Sequence, residues 1–435
     1  MSVKRLLSFL IVTMSAFGIV WAMTVWTAAP AASGTGDAEP PTYRPIEFDI
    51  ADAAPIAGGT IDYARIDARL RRVMEDPAMV GLAVGIVEDG RIRFLKGYGE
   101  TSLGSGDPVT TATVFRWASL SKGVAGDMVA LLAGEGRIAL GDPVARHAAT
   151  LRLPGGGEAS VSVADLLAHR TGLFAHAQDA KLEDGEDPRM LRAGLAALTP
   201  ICPPGTCHAY QNVAYDAAAE IVERLTGESY EAAVRRALFE PIGMRGASIS
   251  RAGLQSAPSW ARPHIGGRNR RMAEVNENYY RVPAAGGVNG SIEDLTQWML
   301  AQMGGAPGVI PAHVLAAAHA PRVATPGEDR RRRKYAERTS ASGYGLGWRS
   351  FDYAGRRVVG HHGGVMGYRS MMLFDPARRS GVVALWNATT NVPAGLEYEV
   401  MDMVYRLPFR DWLELDTPED GAPAPERPEN EGGNG

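Results

Sequence analysis

The chain has 435 residues, a formal net charge of −4 and a pI near 6.2. Hydrophobic residues make up 45% and charged residues 22% of it, a balance that supports a sizeable core and excludes wholesale disorder, collagen and coiled coil. The near-neutral charge implies no general attraction to nucleic acid. Two cysteines are too few for a disulfide scaffold or a cysteine-rich metal cluster.

A targeting segment is predicted over residues 1–32. Lys4 and Arg5 precede an uncharged run that ends at Ala32. This pattern is typical of a signal peptide, which is cleaved, or of an uncleaved anchor helix over residues 6–28. Both interpretations place the remainder in the periplasm or another extracytoplasmic space, because the positive end of such a segment stays inside.

The composition changes after this segment and again near the end of the chain. Residues 33–60 are rich in Pro, Gly, Ala and Asp and predict a linker. A domain is predicted over 61–412. A disordered tail is predicted over 413–435, where the stretch PEDGAPAPERPENEGGNG lacks core-forming residues.

Within the domain, strands are predicted near both ends and helices between them. Helical periodicity begins at 61–76, and GLAVGIVE and RIRFLKGY on either side of Asp89-Gly90 indicate a hairpin over 80–98. Further helices are predicted over 119–134, 163–167, 215–226, 231–239, 292–303 and 395–405, and late strands in GYGLGWRSF, RRVVGHH, YRSMMLF and GVVALWN. The economical architecture is α+β, with one sheet built from both chain ends and a mostly helical inserted region.

Ser119-Leu120-Ser121-Lys122 stands at the start of the helix predicted over 119–134. Positions i and i+3 share one helix face, so the Ser119 hydroxyl and the Lys122 amine can meet. A serine is a poor nucleophile until a base takes its proton. A lysine whose pKa is lowered by burial can act as that base, and an arginine cannot. An ordinary helix start is the alternative that this short motif leaves open.

Two further motifs carry candidate groups. Tyr210-Gln211-Asn212 supplies a phenol that can titrate low enough beside a lysine ammonium to relay protons, and an amide that can hold Lys122 and a substrate carbonyl. His361-His362-Gly363-Gly364 lies between two predicted strands, and its small residues let a substrate backbone lie against a strand edge. A buried structural tyrosine and a structural histidine are the alternatives. The nine histidines show no metal spacing such as H-E-x-x-H, so no metal site is predicted.

Taken together, the motifs resemble the serine β-lactamase and penicillin-binding-protein superfamily, on its class C-like branch. The resemblance spans roughly residues 61–410 and is carried by FRWASLSKG, VSVADLLAHRTGL, PPGTCHAYQNVAYDAAAEIVERLTG, PAAGGVNGSIEDLTQWML, GYGLGW and GHHGGVMGYRSMMLFDP. Each stretch is weak alone, but their joint occurrence in this order is specific. The resemblance implies an antiparallel sheet with helices on both faces and a mostly helical second region, with the site between them.

The resemblance also implies roles for the first two motifs. Ser119 is implied to be the acylated nucleophile, and Lys122 its base partner. Tyr210 is implied to relay protons, and Asn212 to contact the substrate amide and the lysine. No cofactor is predicted.

The third motif departs from the family pattern. His361 stands where many relatives carry the lysine of K-T-G, and His362 where they have a hydroxyl residue, so a contact to a substrate carboxylate does not carry over. The implied oxyanion hole is formed by the backbone N–H groups of Ser119 and Gly364, and Gly363 lines the same substrate site. D,D-carboxypeptidases, D-aminopeptidases and some esterases of the superfamily often have His here. This favours a peptidase-like or esterase-like hydrolase over an efficient β-lactamase.

Cys202 and Cys207 lie close to Tyr210 in the sequence. In an exported protein, a disulfide that closes this short loop is expected. A free pair is the alternative, and a metal site is not expected from two thiols alone.

The sequence therefore predicts an exported serine hydrolase that cleaves an amide or ester bond through a Ser119 acyl-enzyme. The predicted partner is a small-molecule or peptidoglycan-type substrate, with no nucleic acid, and the anchor interpretation adds a single membrane helix. The alternative function is a penicillin-binding or sensor protein on the same fold, whose acyl-enzyme turns over slowly or not at all.

Overall fold

The computed structural model describes residues 59–416. The targeting segment predicted over 1–32, nearly all of the linker predicted over 33–60 and most of the tail predicted over 413–435 lie outside the described residues. Among the helices that the structure does describe, none has the length and apolar character needed to cross a membrane.

An eight-stranded antiparallel sheet forms the centre of the domain. Its strands are β1 (Gly81–Glu88), β2 (Arg91–Gly99), β7 (Val323–Ala324), β8 (Thr339–Tyr344), β9 (Arg349–Tyr353), β10 (Arg356–Val365), β11 (Tyr368–Asp375) and β12 (Ser380–Trp386). Two short pairs lie outside this sheet: β3 (Phe115–Arg116) with β6 (Asn289–Gly290), and β4 (His264–Ile265) with β5 (Arg271–Met272). The order across the sheet is β2-β1-β12-β11-β10-β9-β8-β7, so strands from the two chain ends meet where β1 pairs with β12.

Most of the described helices lie in the chain between β2 and β7, one lies between β7 and β8, and two more come from the chain ends. They are α1 (Tyr63–Val73), α2 (Ser121–Gly134), α3 (Val163–Leu167), α4 (Asp179–Glu183), α5 (Pro188–Gly194), α6 (Ala217–Thr226), α7 (Tyr230–Val234), α8 (Glu240–Ile242), α9 (Arg251–Gln255), α10 (Pro283–Gly286), α11 (Ile292–Leu300), α12 (Ala312–His319), α13 (Pro326–Arg331) and α14 (Leu396–Val404). The charge run Arg330 to Lys334 by itself predicts a solvated loop. In the structure this run ends α13 and enters a 3-10 turn over Arg333–Tyr335.

Both faces of the sheet are covered, because successive residues of a strand point to opposite faces. Leu82, Val84 and Ile86 of β1 pack in a cluster with residues of α1 and α14. Ala83 packs on the other face, in the cluster that contains α2, α6 and α11. The α+β class, the sheet from both chain ends and the helical insertion are therefore confirmed.

The late stretch GYGLGWRSF differs from the single strand that its composition suggests. Tyr344 ends β8, Arg349 begins β9, and the residues between them turn. Gly347 has a φ of 83°, and a Cβ there would lie 2.2 Å from the carbonyl oxygen of Lys122. The turn therefore requires glycine because it presses against the first turn of α2.

The folded contacts continue beyond position 412. Leu413 is buried, and Asp416 accepts a bond from Arg69 Nη1 at 3.1 Å. The buried Arg69 of α1 also donates to Glu399 of α14, at 2.7 Å. Residues 413–416 therefore pack on the domain and do not belong to a disordered tail, because their acidic and apolar side chains find partners on the two terminal helices.

Candidate active site

Ser119 lies in a tight turn between β3 and α2. The segment Ala118–Leu120 is a 3-10 turn and α2 begins only at Ser121, so Ser119 precedes the helix in which the sequence placed it. Ala118 has a φ of 50°, a left-handed conformation that costs an L-residue about 1–2 kcal/mol. The turn is held in place by Ser370, whose Oγ donates to the Trp117 carbonyl at 2.6 Å.

The second serine of the motif, Ser121, has a different environment. It is buried, its Oγ donates to the Ala118 carbonyl at 2.6 Å, and it accepts from the Val288 N–H at 3.0 Å. These bonds tie the start of α2 to neighbouring chain. Ser119, in contrast, lines a cavity. The structure therefore separates a structural serine from one that a substrate can reach.

Lys122 is completely buried in the first turn of α2. Its Nζ donates to Asn212 Oδ1 at 2.7 Å and to the Ala285 carbonyl at 2.8 Å. Burial lowers the pKa of this amine to about 7, with Asp179 opposing the shift and Arg349 adding to it. A lysine with this pKa is uncharged in a large fraction of molecules at neutral pH, so it can accept a proton.

The hydroxyl of Tyr210 is buried and has no partner in good hydrogen-bond geometry among the residues described. Its ring centre lies 4.7 Å from Lys122 Nζ and 5.5 Å from the guanidinium carbon of Arg349. Burial raises the pKa of this phenol above its usual value, while Arg349 and the nearby Ser119 side chain partly lower it. Tyr210 is therefore a neutral phenol in the resting protein, rather than the low-titrating group suggested by its lysine neighbour.

Asn212 is oriented by Asp179, a residue that the sequence analysis missed. Asn212 Nδ2 donates to Asp179 Oδ2 at 2.6 Å, which turns Oδ1 towards Lys122. His176 Nδ1 lies 2.8 Å from the same carboxylate oxygen. Asp179 is the first residue of α4, and an acidic residue in the first turn of a helix is ordinarily explained by the helix dipole. No sequence signal distinguished it from such a residue.

Asp179→Asn is expected to move the pH dependence of catalysis. The Asp179 carboxylate raises the pKa of Lys122, so its removal lowers that pKa below about 7. With Lys122 as the base that the family resemblance implies, the acid limb of kcat/KM, on which Lys122 becomes protonated, then shifts to lower pH. The plateau falls by ~10-fold, because one charge-assisted hydrogen bond to Asn212 is lost. Rate profiles from pH 5 to 9 measure both changes.

The control is Asp187→Asn, which alters an exposed aspartate at the start of α5. It should leave the limb and the plateau in place. If Asp179→Asn lowers the rate uniformly without moving the limb, Asp179 has no electrostatic effect on Lys122.

Both ring nitrogens of His361 are engaged inside the protein. Nδ1 lies 2.6 Å from the carbonyl oxygen of His362 and therefore carries the proton, so Nε2 accepts from the Tyr344 hydroxyl at 3.0 Å. Tyr344 in turn accepts from His169 Nε2 at 3.2 Å, because the N–H of Gln211 donates to His169 Nδ1. The tautomers of both histidines follow from these partners.

His361 is therefore a neutral side chain at pH 7. Burial lowers its pKa well below the usual value, and the charges of Arg349 and Lys122 add to the shift. It cannot supply the positive charge of a lysine at this position, and its only N–H is directed to the backbone. The adjacent His362 is exposed and lies 3.1 Å from the buried carboxylate of Glu397.

The last residues of β10 are paired on one side only. Pairing with β9 ends at Gly360, whereas pairing with β11 continues to Val365. A Cβ on Gly363 would lie 2.4 Å from the Trp117 carbonyl oxygen, so glycine is required where β10 passes the turn that carries Ser119. Gly364 follows it and is exposed. An open strand edge therefore runs beside the nucleophile candidate.

Two cavities lie along this edge. The larger, of about 940 Å³, is lined by Ser119, Tyr210 and His361 among others. The second, of about 810 Å³, is lined by Gly363, Gly364 and residues of the helical region. Across residues 59–416, no group of three or more His, Cys, Asp or Glu side chains is arranged to hold a metal ion.

Cys202 and Cys207 form a disulfide in the structure. The loop that it closes is attached to neighbouring chain, because Ile201 N donates to the Gly172 carbonyl at 2.8 Å. Cys207 lines the larger cavity. The disulfide loop therefore forms part of the cavity wall on the side of Tyr210.

Comparison with known families identifies the chain. The sequence model of the family described as Beta-lactamase matches residues 66–402. The chain belongs to the Beta-lactamase family. The predicted resemblance to the serine β-lactamase and penicillin-binding-protein superfamily is thereby confirmed.

The relatives and solved structures that follow share less than a quarter of their aligned residues with this chain. The chain is 24% identical over 401 residues to "Unguisins hydrolase ungD" of Aspergillus violaceofuscus, in a match that covers 83% of this chain and 67% of that protein. The octameric penicillin-binding protein homologue from Pyrococcus abyssi superimposes with a TM-score of 0.71 at 22% identity, covering 80% of this chain and 78% of that one. A class C beta-lactamase mutant superimposes with a TM-score of 0.65 at 20% identity, covering 79% and 97%. The family and its hydrolase relatives support a hydrolase of the Beta-lactamase family.

Proposed function

We propose that this chain is an exported serine hydrolase that cleaves an amide or ester bond through an acyl-enzyme on Ser119. The observation that carries the proposal is the burial of Lys122, the last residue of the Ser119-Leu120-Ser121-Lys122 motif, which lowers the pKa of its amine to about 7. A lysine that served only as a charge would not need this environment. The hydrolases named among the relatives agree with the proposal.

In the proposed reaction, neutral Lys122 takes the Ser119 proton while Oγ attacks the substrate carbonyl. The backbone N–H groups of Ser119 and Gly364 donate to the oxyanion. As the bond to the leaving amine or alcohol breaks, Tyr210 gives that group a proton and recovers one from Lys122. Water then attacks the acyl-enzyme, its proton returns through the same groups to Ser119, and the carboxylic acid leaves.

The proposed substrate is a peptide-like amide or an ester, in preference to a β-lactam. The neutral imidazole of His361 supports this choice, since it offers no charge to the carboxylate that β-lactams carry. We expect purified protein to hydrolyse a 4-nitrophenyl ester and to process a chromogenic cephalosporin with a kcat/KM well below about 10⁷ M⁻¹s⁻¹, which is near the upper range for enzymes.

A cephalosporin turned over near that range would instead make the protein an efficient β-lactamase. Stable labelling by a fluorescent penicillin without ester turnover would favour the alternative, a penicillin-binding or sensor protein. The Ser119→Ala variant serves as the blank in each assay.

Export is proposed on two sequence features and one structural one. Lys4 and Arg5 precede the long uncharged run, and the disulfide between Cys202 and Cys207 belongs to an oxidising compartment. A reporter that is active only outside the cytoplasm, fused after the full chain, is expected to be active. Full-length protein recovered in the cytoplasm with both thiols reduced would contradict export. Sequencing the mature N-terminus separates the anchor from the cleaved signal.

A further inference from the structure

The second cavity, of about 810 Å³, is lined by two arginines that have no acidic partner among the residues that the structure describes. No carboxylate of residues 59–416 lies within ion-pair distance of Arg369 or Arg116. Withdrawing a cation from water without an anion beside it is costly. A cavity with this lining is a favourable place for an anion that joins these arginines from outside the protein.

Arg369 is fixed at the open strand edge. It stands opposite Gly364 in the β10–β11 register, and its Nη1 donates to the carbonyls of Val365 at 3.0 Å and Tyr368 at 2.8 Å. A Cβ on Gly364 would lie 3.3 Å from the same Nη1, so the guanidinium lies against this glycine. Arg369 is thus held beside a proposed oxyanion donor rather than extended into solvent.

Only Nη1 of Arg369 donates a hydrogen bond to residues 59–416. Nε and Nη2 make no hydrogen bond to residues 59–416. These two nitrogens form the edge of a guanidinium that holds a carboxylate through two parallel bonds. Burial lowers the pKa of Arg369, a shift that an anionic ligand would oppose.

Arg116 adds positive charge to the same cavity. It is buried, stacks 4.0 Å from the ring centre of Tyr280, and donates to the Gly286 carbonyl at 3.3 Å. The lining also includes Glu183, whose Oε1 accepts from the Tyr279 hydroxyl at 2.7 Å. With two arginines against one carboxylate, the cavity favours an anion.

The position of the proton donor decides which part of a substrate enters this cavity. Tyr210, which would protonate the leaving group, lines the other cavity together with Ser119. The leaving group therefore belongs on that side, and the acyl group extends past Gly363 and Gly364 towards Arg369. This assignment rests on the proposed Ser119 acyl-enzyme.

We propose that the cavity beside Gly364 is an anion subsite, in which Arg369 binds a carboxylate carried by the acyl part of the substrate. The protein would then prefer acyl donors with an acidic acyl substituent to neutral ones. This preference is independent of any carboxylate on the leaving group.

Two esters with the same leaving group test the proposal: mono-4-nitrophenyl adipate, whose acyl chain ends in a carboxylate, and its neutral methyl ester. Wild type is expected to prefer the adipate in kcat/KM. Arg369→Gln should reduce kcat/KM for the adipate by at least ~10-fold, the effect of one charge-assisted pair, and change the methyl ester by less than about 2-fold. Arg369→Lys should restore part of the preference.

The matched control is Arg356→Gln, which removes an equal charge from the start of β10, where Arg356 stacks on Tyr405. It should leave both rates unchanged. Fluorophosphonate labelling of Arg369→Gln checks that the serine site is intact. Equal losses for both esters, or no loss for either, would overturn the anion subsite. If wild type hydrolyses neither ester and takes up no fluorophosphonate, the proposed function itself fails.

Discussion

Ser119→Ala is expected to abolish covalent labelling by a fluorophosphonate and to reduce ester turnover by ~10⁴-fold or more, because a nucleophile and its base act as a unit. Ser119 lines the larger cavity beside Tyr210, and its hydroxyl is the group that would carry the acyl chain. Intact-mass analysis after labelling measures the loss directly. Peptide mapping of the wild type locates the modified serine.

Ser121→Ala is the matched control, because it removes the neighbouring hydroxyl of the same motif. The Ser121 hydroxyl bonds to Ala118 and Val288 and takes no part in the proposed reaction. The variant should therefore keep covalent labelling and lose about 1–3 kcal/mol of stability, the cost of leaving buried groups unsatisfied. A label that maps to Ser121 would mean that the wrong serine has been assigned.

Lys122→Arg is expected to lower kcat by at least ~100-fold, the low end of general-base contributions. The substitution keeps a positive charge but removes the neutral form, since a guanidinium does not lose its proton at neutral pH. Steady-state rates at pH 8 make the comparison with wild type. Circular dichroism and thermal melting show whether the larger side chain disturbs the fold, since Lys122 is completely buried.

Lys181→Arg is the control for this substitution, because Lys181 is exposed on α4. It should retain full activity. Should Lys122→Arg also remain active, Lys122 acts only through its charge, and another group must take the Ser119 proton.

The wild-type pH profile tests the same assignment. The reactive form of Lys122 is the neutral amine, and its pKa is lowered to about 7. As the pH falls below this value, the neutral fraction of Lys122 decreases tenfold for each pH unit. The logarithm of kcat/KM should therefore fall with a slope of one against pH. A profile that is flat down to pH 5 would show that Lys122 is not the base.

Much of the architecture was predictable because its signals are local. The apolar run of β1, the partial alternation of β2, the Asp89-Gly90 turn and the amphipathic pattern of α1 follow from neighbouring residues. The division of GYGLGWRSF into two strands was not predictable, because the chain turns at Gly347 to avoid the backbone of Lys122, which is far away in sequence. Residues 413–416 were assigned to the tail for the same reason, since their partner Arg69 lies at the other end of the chain.

The sequence alone determined the candidate chemistry. Ser119, Lys122, Tyr210 and Asn212 are side-chain types with defined reactivity, and their joint spacing was enough to indicate the family. The structure brings Lys122, Tyr210 and Asn212 into contact and places Ser119 and Tyr210 on one cavity. The chemical type of each side chain is the same whatever the fold places around it.

Only the tertiary structure decided the state of those groups and their neighbours. The lowered pKa of Lys122 comes from complete burial, and His361 is kept neutral by burial and by the charges of Arg349 and Lys122. Asp179 and Arg369 had no motif of their own and gained importance from what they face. Protonation and ligand selectivity depend on solvent exclusion and on charges that the fold brings together from distant parts of the chain, and a linear pattern does not contain that information.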